Sequence, residues 1–598
     1  MGGIFGFVCR RPQSCEIVGE GLKRLTYRGY DGAGFCLLDE QGKLVVRKVA
    51  GHLEKGWERL SFHSYSSDVA LGHTRYASRG VPADFNSHPL LDCRGRVAVV
   101  MDGFVSGYEE LREELRRRGH RFVSTTDTEV LAHVLEELLE RQDLKGALLE
   151  AARIVDGIYS AAVALEGTRG LALISKGQPL AIGFKQDCHY VSSDLVSLSG
   201  FADEAIVLEE GAGAIVTPGS VEVFNLLTGA PLGELVRKRV KYQVESIGKG
   251  GYPHYMLKEI YEIPEAITRT AASLMEKYLR LSAMIISSAR NVIVIGNGTS
   301  LHAGLIAQYY FAELAGLNVN VVSAAEFPYY ALKNVFTGTV ILAISQSGET
   351  SDVIRSVKLA KQRGAVIVGV TNVLGSRLTM HSNVYLPISG GPEIAVPATK
   401  TFASTLTALS LLAAFTGLYT GRTSESKLHG LYGEITAASQ LLKEELPRQE
   451  ERVSRIAEEL AGEERMYVSS SGISYPLALE GALKLKEAAL VHAEGIQLGE
   501  MRHGPLAVAG KMPILIIEPV EEQATELYER VLGEIRGRGG RAITVGYRRE
   551  SHIVIPRLSE VMVPIVAAVP LQLLAYKIGA LKGLPIDTPP GLAKAVTT

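Results

Sequence analysis

The sequence predicts an α+β domain followed by two α/β domains with parallel sheets, and three observations carry that prediction. Short apolar strands separated by glycine-rich turns crowd the first third of the chain. The remainder contains an internal duplication, strand–loop–helix–strand, repeated at a fixed offset of 174 residues. The 598 residues also exceed what a single hydrophobic core organises, so about three domains is the natural expectation. The expected boundaries are 1–218 for the α+β domain, 219–253 for a linker, and 254–425 and 426–598 for the two α/β repeats.

Composition narrows the function classes. Hydrophobic residues make up 46% and charged residues 21%, with a formal net charge of −2. Such a balance offers no basic surface for nucleic acid or anionic membrane. The N-terminus runs straight into a strand-like Ile4–Val8, so no signal peptide is expected, nor an apolar run long enough to span a bilayer. The five cysteines, Cys9, Cys15, Cys36, Cys93 and Cys188, show no CxxC pairing and no metal-like histidine neighbours. Reduced thiols, a cytoplasmic location, no metal and no cofactor are the resulting expectations.

In the first third, strands are expected around 4–8, 97–101, 157–165, 171–175, 189–192 and 213–216. The cluster Tyr27-Arg28-Gly29-Tyr30-Asp31-Gly32-Ala33-Gly34 supplies a tight backbone path, and Asp127-Thr128-Glu129 reads as a helix N-cap and first turn. Between about Ser220 and Pro253 the pattern becomes turn-rich and then basic, which reads as an interdomain connection.

The duplication pairs Val292–Ile295 with Met466–Ser469, Gly298 with Gly472, Glu326 with Glu500, and the strands Val340–Ile344 and Ile514–Glu518. Two copies of one unit imply parallel sheets covered by helices. The copies diverge after their second strand. The first continues as Ser345-Gln346-Ser347-Gly348-Glu349-Thr350, the second as Pro519-Val520-Glu521-Glu522. Hydroxyls and a glycine between a strand's carboxyl end and a helix start form a phosphate cradle, and Gly298-Thr299-Ser300 lies on a neighbouring strand. An acidic loop repels an anion. The first copy therefore binds phosphate and the second supplies chemistry.

That chemistry is expected on the stretch from Glu480 to Pro505. Glu480, Lys484, Glu487 and Val491 share one helical face among alanines and leucines. Charges on a helix that buries itself need partners or a substrate. With His503-Gly504-Pro505 following, the stretch reads as an acid–base site.

The first third resembles the glutaminase domain of the N-terminal-nucleophile amidotransferases. The resemblance implies that Arg75 holds a glutamine α-carboxylate and Asp127 its α-ammonium, with Asp102 and Gly103 at the oxyanion hole. Two departures stand out. Gly2 occupies the position of the nucleophilic cysteine, and Asp102 that of an oxyanion-hole asparagine. Glycine forms no acyl-enzyme, and a carboxylate opposes an oxyanion. Together they read as natural loss of glutaminase chemistry.

Over its whole length from Ile4 the chain resembles the glutamine–fructose-6-phosphate aminotransferase (isomerizing) family, a glutaminase domain joined to two sugar-isomerase (SIS) domains. The resemblance rests on Gly298-Thr299-Ser300, Ser345 to Thr350, Glu480 to Glu487, His503-Gly504-Pro505 and the tail Leu592-Ala593-Lys594. It departs at Asn297 and Ala398. It implies that Lys594 forms a Schiff base with fructose 6-phosphate, that His503 opens the sugar ring from the neighbouring subunit of a homodimer, and that Glu487 moves a proton between C1 and C2 with help from Lys484. Gly298, Thr299, Ser300, Ser345, Gln346, Ser347, Thr350 and Val396 would line the sugar-phosphate site. The expected product is glucosamine 6-phosphate, with glutamine as donor in the family and ammonia here, given Gly2. A phosphosugar isomerase, an amino-sugar-phosphate deaminase and a non-catalytic phosphosugar sensor are the competing readings.

Overall fold

The computed structural model describes residues 2–233, 235–240 and 248–596. They fall into two compact units, those of Met1–Gly248 with Ala593–Thr598 and those of Lys249–Leu592. The expected linker at 219–253 lies partly outside the described residues, at 234 and 241–247. Its expected start is corrected. Val221–Asn225 pairs antiparallel with Ala212–Val216, and Phe224 is fully buried, so the chain there still belongs to a sheet.

Among the described residues, the first unit contains an eight-stranded and a six-stranded sheet. Gly2–Ser14 lies inside the larger one, between Ser66–Arg75 and Cys188–Ser192, and is buried from Gly2 to Cys9. An interior strand covered on both faces needs an unbroken apolar run rather than alternation, which Ile4–Val8 supplies. Ile4, Val8 and Leu71 of one sheet pack with Val100, Leu173 and Ala214 of the other. Helices Glu16–Lys23 and Leu53–Leu60 cover the outer face of the larger sheet, and Glu129–Leu139 and Leu144–Ile154 that of the smaller.

The cysteine expectation is corrected in two places. Cys9 lies directly opposite Cys188 on the adjacent antiparallel strand, and the two form a disulfide. Their 179-residue separation hides a pairing that strand register creates. Cys93 does have histidine neighbours in space, His120 and His133, each with a ring nitrogen 3.5 Å from its sulfur.

In the second unit each repeat is a five-stranded parallel sheet with the first strand second in spatial order. The strands run Asn320–Ser323, Asn291–Gly296, Thr339–Ile344, Val366–Thr371, Val384–Pro387 in one. They run His492–Gln497, Arg465–Ser470, Ile514–Ile517, Ala542–Gly546, Ile553–Val554 in the other. In this order the strand direction of winding reverses between the first and third strands, and the crevice at their carboxyl ends is where such sheets bind ligands. Two helices, Lys400–Thr420 and Val563–Leu581, are long and apolar enough to cross a membrane, contrary to expectation. They are 94% and 89% buried inside the unit and form part of its core, where a helix apolar on all sides belongs.

Candidate active site

The two hydroxyl-rich loops converge at that crevice. Helices Thr299–Tyr310 and Ser351–Gln362 begin at the carboxyl ends of the adjacent strands Asn291–Gly296 and Thr339–Ile344, so two helix N-termini share one location. Gly298 (φ +53°) and Gly348 (φ +66°) take backbone conformations that a side chain would strain, and a Cβ on Gly348 would lie 2.0 Å from Ser376 Oγ. Ser345 Oγ accepts the Gly348 N–H at 3.1 Å and lies 3.0 Å from Thr350 Oγ1, and Ser347 Oγ accepts the Glu349 N–H at 3.1 Å. Glu349 does not face the cradle. Its carboxylate accepts from Arg377 N at 2.9 Å and Nε at 2.7 Å, which locks the loop from behind.

The expected charged face forms on the helix Tyr475–Ala489. Lys484 is fully buried, with Nζ 2.5 Å from Glu487 Oε2, 3.2 Å from Glu480 Oε1 and 3.2 Å from Thr299 Oγ1. Thr299 donates to Glu480 Oε1 at 3.0 Å, and His302 Nδ1 lies 2.7 Å from Glu480 Oε2. The N-terminus of the first repeat's helix is thus tied to the charged helix of the second. Burial works against the Lys484 ammonium, but the two carboxylates outweigh it and raise its pKa above the ordinary value. Burial likewise pushes the Glu480 carboxyl up, while Lys484 and the hydrogen bonds from His302 and Thr299 bring it below the usual range. Glu487 is the carboxylate that solvent reaches, its side chain 16% exposed against 2% for Glu480. The helix ends at Ala489 and Leu490 turns into the left-handed region, so Val491 is off the expected face.

His302 escaped the sequence reading. Its signal was present, since it follows Thr299 by one helical turn and points the same way.

The second repeat carries its own anion. Glu521 stands 174 residues after Ser347, and its Oε1 accepts the N–H of Ile473, the counterpart of Thr299, at 2.7 Å. A Cβ on Gly472 would lie 2.1 Å from that oxygen. The acidic loop does more than repel a phosphate. Its carboxylate occupies the cradle.

The remaining expected residues are less tightly clustered. Ser300 donates its N–H to Asn297 O at 3.1 Å, and Gln346 O accepts from Asn372 N at 3.0 Å. Val396 is buried, and its N–H donates to Asp587 O at 2.9 Å. His503 is exposed on the short turn Glu500–His503. Lys594 groups with the first unit.

In the first unit, Asp102 is fully buried, with Oδ1 accepting the Gly2 N–H at 2.8 Å and Oδ2 2.6 Å from Arg28 Nη2. Burial pushes the Asp102 carboxyl up, but Arg28 outweighs it, so the group is an anion and an acceptor. A Cβ on Gly2 would meet His73 Nε2 at 2.3 Å and Thr74 O at 2.4 Å. Gly103 (φ +124°) has no room for a side chain, because a Cβ would lie 2.2 Å from Ile158 O. Arg75 donates to the carbonyls of Val81 at 3.3 Å and Gly80 at 3.1 Å. Asp127 is not the helix cap that its sequence suggested. Thr128 precedes the helix without a side-chain cap, and Asp127 Oδ2 accepts the Val105 N–H at 2.8 Å.

Comparison with known proteins agrees with this architecture. The SIS domain family matches residues 285–415 and 459–580, and the glutamine amidotransferase domain family matches residues 58–147. The fold and site therefore define an amidotransferase-type protein with a tandem SIS half. Two relatives called glutamine–fructose-6-phosphate aminotransferase (isomerizing) align over the full length of both chains. That of Thermococcus kodakarensis is 38% identical over 606 residues and that of Aquifex aeolicus 37% over 613. The chain belongs to the glutamine–fructose-6-phosphate aminotransferase (isomerizing) family. A solved C-terminal domain of glucosamine–fructose-6-phosphate aminotransferase from Francisella tularensis is 31% identical, with TM-score 0.53, and spans 57% of this chain and all of that one.

Proposed function

We propose that this protein makes glucosamine 6-phosphate from fructose 6-phosphate with ammonia, rather than glutamine, as the working nitrogen donor. The observation that carries the sugar half is the buried Glu480–Lys484–Glu487 cluster tied by Thr299 and His302 to a phosphate cradle at the sheet's switch point. The phosphate would rest on the two helix N-termini and the hydroxyls of Ser345, Ser347 and Thr350. Lys594 would attack C2 of the open-chain ketose and lose water to form an imine, and ammonia would displace the lysine. Glu487, the carboxylate of the cluster that solvent reaches, would take a proton from C1 and return it to C2, giving the amino aldose. Lys484, held by two carboxylates, would keep Glu487 oriented before the transfer. His503, exposed on its own chain, would open the ring of a sugar bound to a second copy in a homodimer.

The donor assignment rests on Gly2 and Asp102. Position 2 has no nucleophile, and the carboxylate beside it accepts hydrogen bonds where an oxyanion needs a donor. The proposed domain limits remain 254–425 and 426–598 for the repeats, and the proposed location is the cytoplasm. The test is one assay with fructose 6-phosphate plus ammonium, plus glutamine, or alone, reading glucosamine 6-phosphate and glucose 6-phosphate. Amination with ammonium and none with glutamine is expected. Equal turnover with glutamine would overturn the donor assignment. Glucose 6-phosphate alone would make the protein an isomerase. Breakdown of added glucosamine 6-phosphate, with none formed from fructose 6-phosphate, would make it a deaminase.

A further inference from the structure

Away from both sites, four side chains from three separate segments converge on one point. Cys93 lies in the turn before the strand Val97–Val105, His120 follows the helix Tyr108–Arg117, and His133 and Glu136 stand one turn apart on the helix Glu129–Leu139. One ligand atom from each lies within 4.8 Å of all the others. Four of the six pair distances are Cys93 Sγ to His120 Nδ1 and to His133 Nδ1, both 3.5 Å, and Glu136 Oε2 to His120 Nδ1 at 3.1 Å and to His133 Nδ1 at 3.3 Å.

Those four distances match the ligand–ligand spacing expected around one small cation. With zinc–sulfur bonds of about 2.3 Å and zinc–nitrogen or zinc–oxygen bonds of about 2.0 Å, tetrahedral angles put sulfur about 3.6 Å from nitrogen and nitrogen about 3.3 Å from oxygen. We propose that Cys93, His120, His133 and Glu136 bind one zinc ion.

The surroundings suit that ion. A thiolate and a carboxylate supply two negative charges against a divalent cation, and the thiolate–imidazole mixture selects zinc over magnesium or calcium. Outer partners orient Cys93, His120 and Glu136. The Arg121 N–H donates to Cys93 Sγ at 3.3 Å, and His120 Nε2 lies 3.0 Å from Glu137 Oε1. The Cys93 N–H donates to Glu136 Oε2 at 3.2 Å, while Arg94 Nε faces the other oxygen, Oε1, at 3.8 Å. A histidine whose second nitrogen meets a carboxylate is the usual arrangement around zinc. Four protein ligands close the coordination sphere, so the ion is structural. It joins the turn at Cys93 and the segment from His120 to Asp127 onto one helix, whose first residue Glu129 accepts the N–H groups of Val123 and Ser124, both at 2.7 Å. The metal therefore braces the segment that delivers Asp127.

The test uses the full chain, purified without metal-affinity steps or chelators, and elemental analysis for zinc. About one zinc per chain is expected, falling below a tenth in Cys93→Ala. Cobalt titrated into chelator-treated protein should give a thiolate-to-cobalt charge-transfer band and the strong visible bands of a tetrahedral site. Cys93→Ala should lack the charge-transfer band, and Glu137→Gln should weaken binding by roughly 10–100-fold, the usual cost of losing an outer partner. The cobalt titration needs no variant, so misfolding of a mutant leaves the test intact. Absence of both zinc and a cobalt spectrum in the parent protein would overturn the proposal. A charge-transfer band that survives Cys93→Ala would do so as well.

Discussion

Glu521 and Ile473 form the relationship that separates the two repeats: a carboxylate of the chain accepts the N–H at which the other repeat presents Thr299. Replacing Glu521 by serine should cost about 1.5–3 kcal/mol, the value of a hydrogen bond to a charged group. Millimolar sulfate or phosphate should recover part of that stability in the variant and more of it than in the parent. Thermal unfolding with and without the anion reads both effects, and an identical anion response in the two proteins would show that Glu521 does not stand in for phosphate.

Ser347→Ala with Thr350→Ala should weaken sugar-phosphate binding at least roughly tenfold, since about 1.4 kcal/mol is one decade. Calorimetry with fructose 6-phosphate and with unphosphorylated fructose separates the loss of phosphate contacts from a general defect. Only the phosphorylated ligand should respond.

Lys594→Ala should abolish glucosamine 6-phosphate formation while fructose 6-phosphate still binds. Borohydride added with the sugar should attach it to Lys594, located by peptide mass spectrometry. Attachment at another lysine would remove Lys594 from the mechanism.

Gly2→Cys alone should not create a glutaminase. The new Cβ requires His73 and the neighbouring strand to shift, and Asp102 still faces the oxyanion as an acceptor. Asp102→Asn should destabilise the first unit by about 3–5 kcal/mol, because Arg28 loses its buried partner. Glutamine hydrolysis and chemical denaturation of the single and double variants measure this. Full glutaminase activity in Gly2→Cys would show that Asp102 is harmless.

His73 makes stability of the first unit pH-dependent. Burial holds its pKa down at about 3, against the ordinary 6.5, and burial also lowers that of His88, stacked on it with ring centroids 4.3 Å apart. The unfolded chain therefore binds more protons than the folded one between those values. Stability is fully present above pH 6.5 and falls as pH drops toward 3, by at most about 1.4 kcal/mol per pH unit for each histidine. Denaturation at pH 7.5, 6 and 5 should show the decline, and His73→Phe should make it shallower, leaving the part due to His88.

Sequence alone determined the architecture and the charged helical face. The 174-residue repeat, the hydroxyl loop after Ile344 and the spacing of Glu480, Lys484 and Glu487 are local patterns, and local patterns follow from helical and strand periodicity. Tertiary structure decided what depends on register and convergence. It paired Cys9 with Cys188 across adjacent strands, turned Asp127 from a cap into an acceptor for Val105, and set His302 on Glu480. It also collected Cys93, His120, His133 and Glu136 from segments that no short motif links. Each of these is a contact between residues far apart in the chain or on different elements. The linear order of residues does not carry that information until the strands have found their neighbours.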